Sequence, residues 1–177
     1  HDILDAMTAS FVEWFSLDAT DHSLLVLPLF HANGIVLGTL SPLRAGGQVS
    51  ITGRFSRDRF FDDVQRHRPT FFSAVPAIYA LLSALPDEVR PDTSSLRFAV
   101  CGAAPATQEL LAEFERLAAV PIIEGYGLSE GTCASAINPL RGPRKPGSVG
   151  RIIDGQRIRI VDEDGTNVAA GEPGEVQ

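Results

Sequence analysis

The chain has 177 residues, 44% of them hydrophobic and 21% charged, with a net charge of −7. That is about one to one-and-a-half ordinary domains, enough to bury a core. The acidic balance argues against a nucleic-acid or anionic-membrane surface, which needs clustered Lys and Arg, but it does not exclude a phosphate cradled by backbone amides.

The spacing of Ile3, Leu4, Met7, Phe11, Val12 and Phe15 predicts a helix over 2–15. Residues 23–27 read as a short apolar strand. Residues 32–44 read as an apolar helix ended by Ala45-Gly46-Gly47 in the manner of a glycine cap. A strand at 48–52 follows, then a helix from an Ser56 cap to His67, with Phe60, Phe61 and Val64 on its apolar face. Residues 70–74 read as a strand, and Pro76 opens a helix over 77–85. Residues 86–95 form a polar loop. A strand at 96–101, a helix at 107–118 and a strand at 121–124 complete the alternation. Strand and helix in turn, with short connections, predict an α/β fold: a mostly parallel sheet with helices on both faces. The character then changes. A strand at 132–137 leads into a loop at 138–147 rich in Pro, Gly, Arg and Lys. Residues 157–162 alternate as a half-exposed strand, 162–165 form a hairpin turn, and 171–177 enter a further strand. This reads as the start of an antiparallel β element. The expected division is an α/β core over 1–137 and a loop with the beginning of a β unit over 138–177.

Cys101 and Cys133 follow no metal or redox spacing. They read as free thiols in a reducing compartment, although a disulfide between them also fits their number. The longest apolar run, 24–30, is broken by Pro28 and is too short to span a bilayer. No signal peptide is visible. Together these place the protein in the cytoplasm.

Four segments could carry chemistry. In 122–130, IIEGYGLSE, a strand runs into Gly125 and Gly127 around Tyr126. A glycine-lined loop at the carboxyl end of a parallel strand is where open α/β sheets bind ligands. Tyr126 offers a face for a base, Ser129 a hydroxyl for a phosphoryl oxygen, and Glu130 a hard carboxylate for Mg²⁺. A plain strand-ending turn fits the same residues. In 99–105, AVCGAAP, small residues after a strand either admit a flat ring or pack the following helix tightly. In 27–34, LPLFHANG, His31 is either a polar handle for a carboxylate or a structural residue. In 145–150, KPGSVG, the glycines shape either a ligand wall or a surface loop. His1, His22 and His67 read as solvated. Phe30, Ala32, Gly102, Ala103, Ala104 and Cys133 read as lining an apolar pocket.

In this order the segments resemble the acyl-activating superfamily of acyl-CoA synthetases, peptide-synthetase adenylation domains and beetle luciferases. LPLFHANG is similar to the family's LPLFH-x-x-G segment, TFFSAVPAIY at 70–79 to its T-x-x-x-x-V-P-x-x-Y element, CGAAP to its GAAP turn, and GYGLSE to its YG-x-[ST]-E loop. PGSVG and GEVQ match in kind. The resemblance covers essentially the whole chain, and YGLSE is closest to the acyl-CoA synthetase branch. It implies conversion of a carboxylic acid with Mg·ATP to an acyl adenylate, and transfer of the acyl group to coenzyme A; the apolar pocket residues favour a fatty or aryl acid, with small dicarboxylates left open. It implies that Gly102, Ala103, Ala104 and Pro105 border the adenine and acyl pockets. Glu124, Gly125, Tyr126 and Gly127 hold the adenine, Ser129 the phosphates, and Glu130 the Mg²⁺. His31 sits beside the carboxylate, and residues 147–150 shape the acyl side. The family's phosphate loop belongs upstream of His1, and its ribose-binding Asp, hinge and catalytic Lys downstream of Gln177. The chain is therefore expected to be the middle of the large N-terminal domain and inactive alone. Two alternatives stand beside this: a non-catalytic ligand-binding module on the same scaffold, and an adenylation domain that loads a carrier protein.

Overall fold

The computed structural model describes residues 1–86 and 91–177. The polar loop expected over 86–95 is thus described at its two ends only, and residues 87–90 lie outside the described residues.

Helix α1 (Asp2–Phe15) forms where its spacing predicts, with Met7, Phe11 and Phe15 buried on one side and Ser16 closing it in the left-handed conformation. Strand β1 (His22–Leu25) stops two residues before its expected end. The apolar stretch after it is helical throughout but not uniform: α2 (Ala32–Ile35), a π-helical turn (Val36–Leu40) and α3 (Ser41–Arg44). The Thr39 and Ser41 hydroxyls each donate to a carbonyl five residues back, Gly34 and Val36, at 2.8 Å. Such bonds compete with the regular ladder and widen the turn. Strand β2 (Gln48–Ile51) and helix α4 (Arg57–His67) follow. Ser56 takes the cap position, yet its hydroxyl makes no capping bond. Then come β3 (Phe71–Ala74), α5 (Pro76–Ser83), β4 (Phe98–Cys101) and α6 (Gln108–Ala118). Here Thr107 caps the helix, the Leu110 amide donating to its hydroxyl at 3.3 Å. Strand β5 (Ile122–Tyr126) runs two residues further than expected and takes in Gly125 and Tyr126.

Beyond β5 the strands are short. The strand expected at 132–137 reduces to β6 (Ala136–Ile137). Residues Ser129–Gly131 form a 3₁₀ turn, and Thr132 and Cys133 take φ of 64° and 115°, which a pleated strand cannot accommodate. Strand β7 (Arg151–Ile152) was not foreseen: two exposed residues carry no periodic signal. The strand expected at 157–162 is only β8 (Ile160–Val161), which pairs antiparallel with β9 (Glu175–Val176). The turn at 162–165 is present, the Gly165 amide donating to the Asp162 carbonyl at 3.0 Å.

The large sheet has the order β2-β1-β3-β4-β5-β6-β7. The first five strands are parallel, and β6 and β7 are antiparallel. Alternate residues serve opposite faces. Leu24, Phe72, Ala99 and Ile122 pack with Phe60, Val64, Tyr79, Leu82, Leu111 and Phe114 of α4, α5 and α6. Phe71, Phe98, Val100 and Ile123 pack with Met7, Phe11, Phe15, Val36 and Leu37 of α1 and the π turn. Helices cover both faces, as the alternation predicts. Both cysteines are free. Among the described residues no helix is long and apolar enough to cross a membrane. One histidine departs from expectation: His22 is half-buried, with Nε2 2.8 Å from Ser50 Oγ, and burial, aided by His67, lowers its pKa.

The amino ends of the strands are fastened by one carboxylate. Asp21 is fully buried just before β1. It accepts from the Asp18 amide (3.0 Å), the Thr70 hydroxyl ahead of β3 (2.6 Å) and the Arg97 guanidinium ahead of β4 (2.5 Å). Arg97 in turn lies over Phe98, which stacks between Phe15 and Phe71 at 4.9 and 5.1 Å. A buried charge with its partners satisfied is costly to disrupt from one side. Asp21→Ala is therefore expected to lower unfolding stability by about 3 kcal/mol, read as a lower urea midpoint. An unchanged midpoint would show that Asp21 does not fasten these strands.

Candidate active site

The site lies at the carboxyl ends of β4 and β5. The parallel register sets Cys101, the last residue of β4, opposite Glu124, so β5 runs on two residues past the end of β4. The turn after β4 brings Gly102 beside the Gly125 carbonyl. Ala103 then takes φ 69°, a left-handed conformation costing a non-glycine residue about 1–2 kcal/mol. On the other side, β6 pairs Ile137 with Gly125 and Ala136 with Tyr126. The loop between β5 and β6 folds back tightly: the Ser135 amide donates to the Tyr126 carbonyl at 2.8 Å, and the Cys133 amide to the Leu128 carbonyl at 3.2 Å. A Cβ at Gly127 would fall 1.9 Å from the Cys133 carbonyl oxygen. Only glycine fits there.

Two chambers flank this loop and share Cys101, Ala103, Gly125, Tyr126 and Gly127 as their common wall. The first, about 230 Å³, lies on the α1 side of the sheet and is walled by Phe11, Leu37, Val75, Val100, Cys133 and Ile137, with His31, Asn33 and Ser129 as its polar side chains. The second, about 360 Å³, is bounded by Ala104, Pro105, Glu124, Gly147, Ser148 and Val149. Tyr126 stands between them. His31, with Leu27 and Val75, also borders a broader apolar groove of about 780 Å³ beyond β1 to β3.

The predicted catalytic and binding residues other than Glu130 thus line the two chambers; Glu130 lines neither. Gly102 and His31 meet the first chamber, Ala104, Pro105 and Glu124 the second, and Ala103, Gly125, Tyr126 and Gly127 both. Glu124 is steadied by the Gln108 amide at 3.4 Å. Ser129 faces the first chamber, and Glu130 follows it in an exposed 3₁₀ turn. Residues 147–149 wall the second chamber, beside Glu124. One expectation needs correction. Phe30 lines neither chamber; it is 79% exposed and rests on the His31 ring. It follows the turn at Pro28, where the His31 amide bonds the Pro28 carbonyl at 3.1 Å, and is carried outward.

Residues from afar complete the first chamber: Phe11 from α1, Leu37 from the π turn and Ile137 from β6. Their apolar character marks them in the sequence as core, but nothing in a linear pattern assigns them to a cavity.

The electrostatics are quiet. Burial, with Glu124 nearby, pushes the Cys101 thiol up to about 12, and burial likewise pushes Cys133 up to about 12. Both are neutral thiols at physiological pH, unsuited to nucleophilic attack or metal binding. Among the described residues no group of three or more His, Cys, Asp and Glu is placed to hold a metal ion.

The chain belongs to the AMP-binding enzyme family, whose model matches residues 1–177. It is 34% identical over 170 residues to an oxalate–CoA ligase of Arabidopsis thaliana, covering 92% of this chain and 32% of that protein. It is 35% identical over 167 residues to an indoleacetate–CoA ligase of Aromatoleum aromaticum, covering 93% and 32%. Among solved structures, ATP-bound MatB from Rhodopseudomonas palustris superposes with a TM-score of 0.91 at 27% identity, over 99% of this chain and 35% of that one. The anthranilate CoA ligase AuaEII, in complex with anthranoyl-AMP, gives 0.90 at 29% identity over 99% and 34%. The chain spans about a third of the length of the relatives it matches.

With both thiols raised to about 12, the thiolate fraction at pH 8 is on the order of 10⁻⁴, against about a quarter for an ordinary cysteine. Alkylation of the native chain by iodoacetamide, followed by mass spectrometry, is expected to run at least about a hundredfold slower than in the denatured chain and to quicken as pH rises towards 12. Equal native and denatured rates at pH 8 would contradict these buried environments.

Proposed function

We propose that the paired chambers form the adenylate-forming site of a CoA ligase. The observation that carries this is their shared wall. Two reactants held on either side of Gly125, Tyr126 and Gly127 can meet at one point, as a carboxylate must meet the α-phosphate of ATP. The carboxylate oxygen attacks the α-phosphorus and pyrophosphate leaves; the thiol of coenzyme A then attacks the acyl carbonyl and AMP leaves. Solved relatives holding ATP or anthranoyl-AMP support the assignment.

On this reading the second chamber takes the nucleotide. Ala103, Ala104, Pro105, Gly125, Tyr126 and Gly127 are small or flat enough for a ring to lie against the backbone, with Glu124 beside them. The first chamber takes the acid. Its lining of Phe11, Leu37, Val100 and Ile137 suits an apolar body such as a fatty or aryl chain, and His31 is the polar group beside the carboxylate. Ser129 donates to a phosphate oxygen. Glu130 is the carboxylate for Mg²⁺: an exposed single acid fits an ion that is held by one or two carboxylates plus substrate phosphates. When bound, the ion neutralises charge on the phosphates. MenE from Bacillus subtilis has been solved with ATP and a magnesium ion and gives a TM-score of 0.84 at 27% identity. The same reading takes residues 1–137 as the α/β core and 138–177 as a loop and the beginning of a β unit. The separate pairing of β8 with β9 supports that division, while β7 stays on the large sheet. The two free thiols suit the reducing cytoplasm.

In a ligase of the relatives' length that carries this chain, Glu130→Ala is expected to lower carboxylate-dependent ATP–pyrophosphate exchange by about 10²–10³-fold and to shift its Mg²⁺ dependence. Unchanged Mg²⁺-dependent exchange would remove Glu130 from the site. The 177-residue chain alone, a third of that length, is expected to give no exchange above background; carboxylate-dependent exchange by this chain would overturn that part of the reading.

A further inference from the structure

We propose that Asn138 is the positioning residue that clamps the 147–150 loop against β5 and so sets the width of the second chamber. This rests on the reading that the second chamber takes the nucleotide.

Asn138 follows β6 and is 3% exposed. Its side-chain amide donates to the Ser148 carbonyl at 2.6 Å and lies 3.5 Å from the Glu124 carbonyl. Glu124 and Ser148 both line the second chamber. A primary amide nitrogen has two hydrogens and can serve both at once. The Asn138 backbone is fixed as well: its amide donates to the Glu124 carbonyl at 2.9 Å, and its carbonyl accepts from Trp14 Nε1 at 3.1 Å. The clamp is therefore anchored to β5 and α1 before it reaches the loop.

The loop depends on it. Among the described residues, the hydrogen bonds and ion pairs joining 140–149 to the rest of the chain are this amide and the Arg144–Glu115 pair at 3.8 Å. A partly exposed pair at that distance contributes little. At the far end the backbone passes so close that a Cβ on Gly150, at φ 96°, would lie 2.1 Å from the Ile137 carbonyl carbon and 2.2 Å from the Asn138 nitrogen. The Gly150 amide turns back to the Ser148 hydroxyl at 3.2 Å. Gly147, Ser148 and Val149 thus form a wall whose distance from Glu124 is set by one side chain. Asp at 138 keeps the shape but cannot donate, and Ala keeps neither function.

The test uses the 177-residue chain, its Asn138→Ala and Asn138→Asp variants, hydrogen exchange read by mass spectrometry, and equilibrium dialysis with Mg·ATP. In the unsubstituted chain ATP is expected to slow exchange at 124–127 and 147–150. Both variants are expected to speed exchange at 147–150 by about tenfold, leave β3 and β4 unchanged, and weaken ATP binding by about tenfold. Unchanged exchange at 147–150 overturns the clamp. Faster exchange with unaltered ATP affinity overturns its role in nucleotide binding. No ATP protection at 124–127 and 147–150 in the unsubstituted chain, with exchange still faster in the variants, marks failure of the nucleotide reading itself and removes the role with it. Loss of folding in both variants overturns a role confined to the chamber.

Discussion

The pairing of β4 with β5 is the constraint from which the rest follows. Because Cys101, the last residue of β4, lies opposite Glu124, β5 runs on past it, and the turn after β4 rises beside Gly125. A slip of one residue would turn every side chain of β5 to the other face. Ile123 would leave the packing of Phe98 and Phe71, and Glu124 would exchange the second chamber for the apolar face under α1. The two chambers exist only in the observed register, and the aromatic stack and the Asp21 fastening at the strands' amino ends hold β1, β3 and β4 in line with it.

The order of structure in the chain follows from how visible each cause is along the sequence. Parallel strands buried on both faces read as apolar runs, and amphipathic helices with clear stops read as helices. That is why the alternation from α1 to β5 could be read directly. Where a bend depends on individual backbone angles, the pattern gave little. Thr132 and Cys133 look like strand residues by composition, yet the fold-back onto Gly127 puts them in the left-handed region. The π turn depends on two hydroxyls reaching back five residues, a choice that Thr39 and Ser41 do not announce. The chamber-lining residues from Gly102 to Pro105 and from Glu124 to Ser129 were legible because glycines, small residues and polar side chains cluster after strands. Phe11, Leu37 and Ile137 were not, because they reach the chamber only through tertiary packing. Asn138 read as the first residue of a loop, and its bonds to two residues that line a chamber depend on segments ten and fourteen residues away.

The loops around the shared wall carry strain that the rest of the molecule does not. Ser16, Arg68 and Ala119 also have positive φ, but each closes a helix, where that conformation is ordinary. Ala103 and Cys133 sit instead against the chambers. Strained residues persist where the surrounding structure over-determines them. Here the overdetermination comes from the strand register on one side and from the Gly127 contact on the other. The result is a rigid partition with the neutral Cys101 thiol on it.

That rigidity bears on how the fold can diversify. Relatives named for acids as different as oxalate and indoleacetate share this scaffold. In this chain the partition between the chambers tolerates little, since a bulkier residue at Gly127 collides with backbone and a β-branched one at Ala103 or Cys133 meets a forbidden angle. The opposite wall of the first chamber, Phe11 and Leu37, stands on helical backbone with no such restriction. On the proposed assignment, substitutions there reshape the acid's lodging and leave the meeting point of the two reactants intact. The fold then separates a variable lining from a fixed junction, and changes in α1 and the π turn are the ones that would shift acid preference.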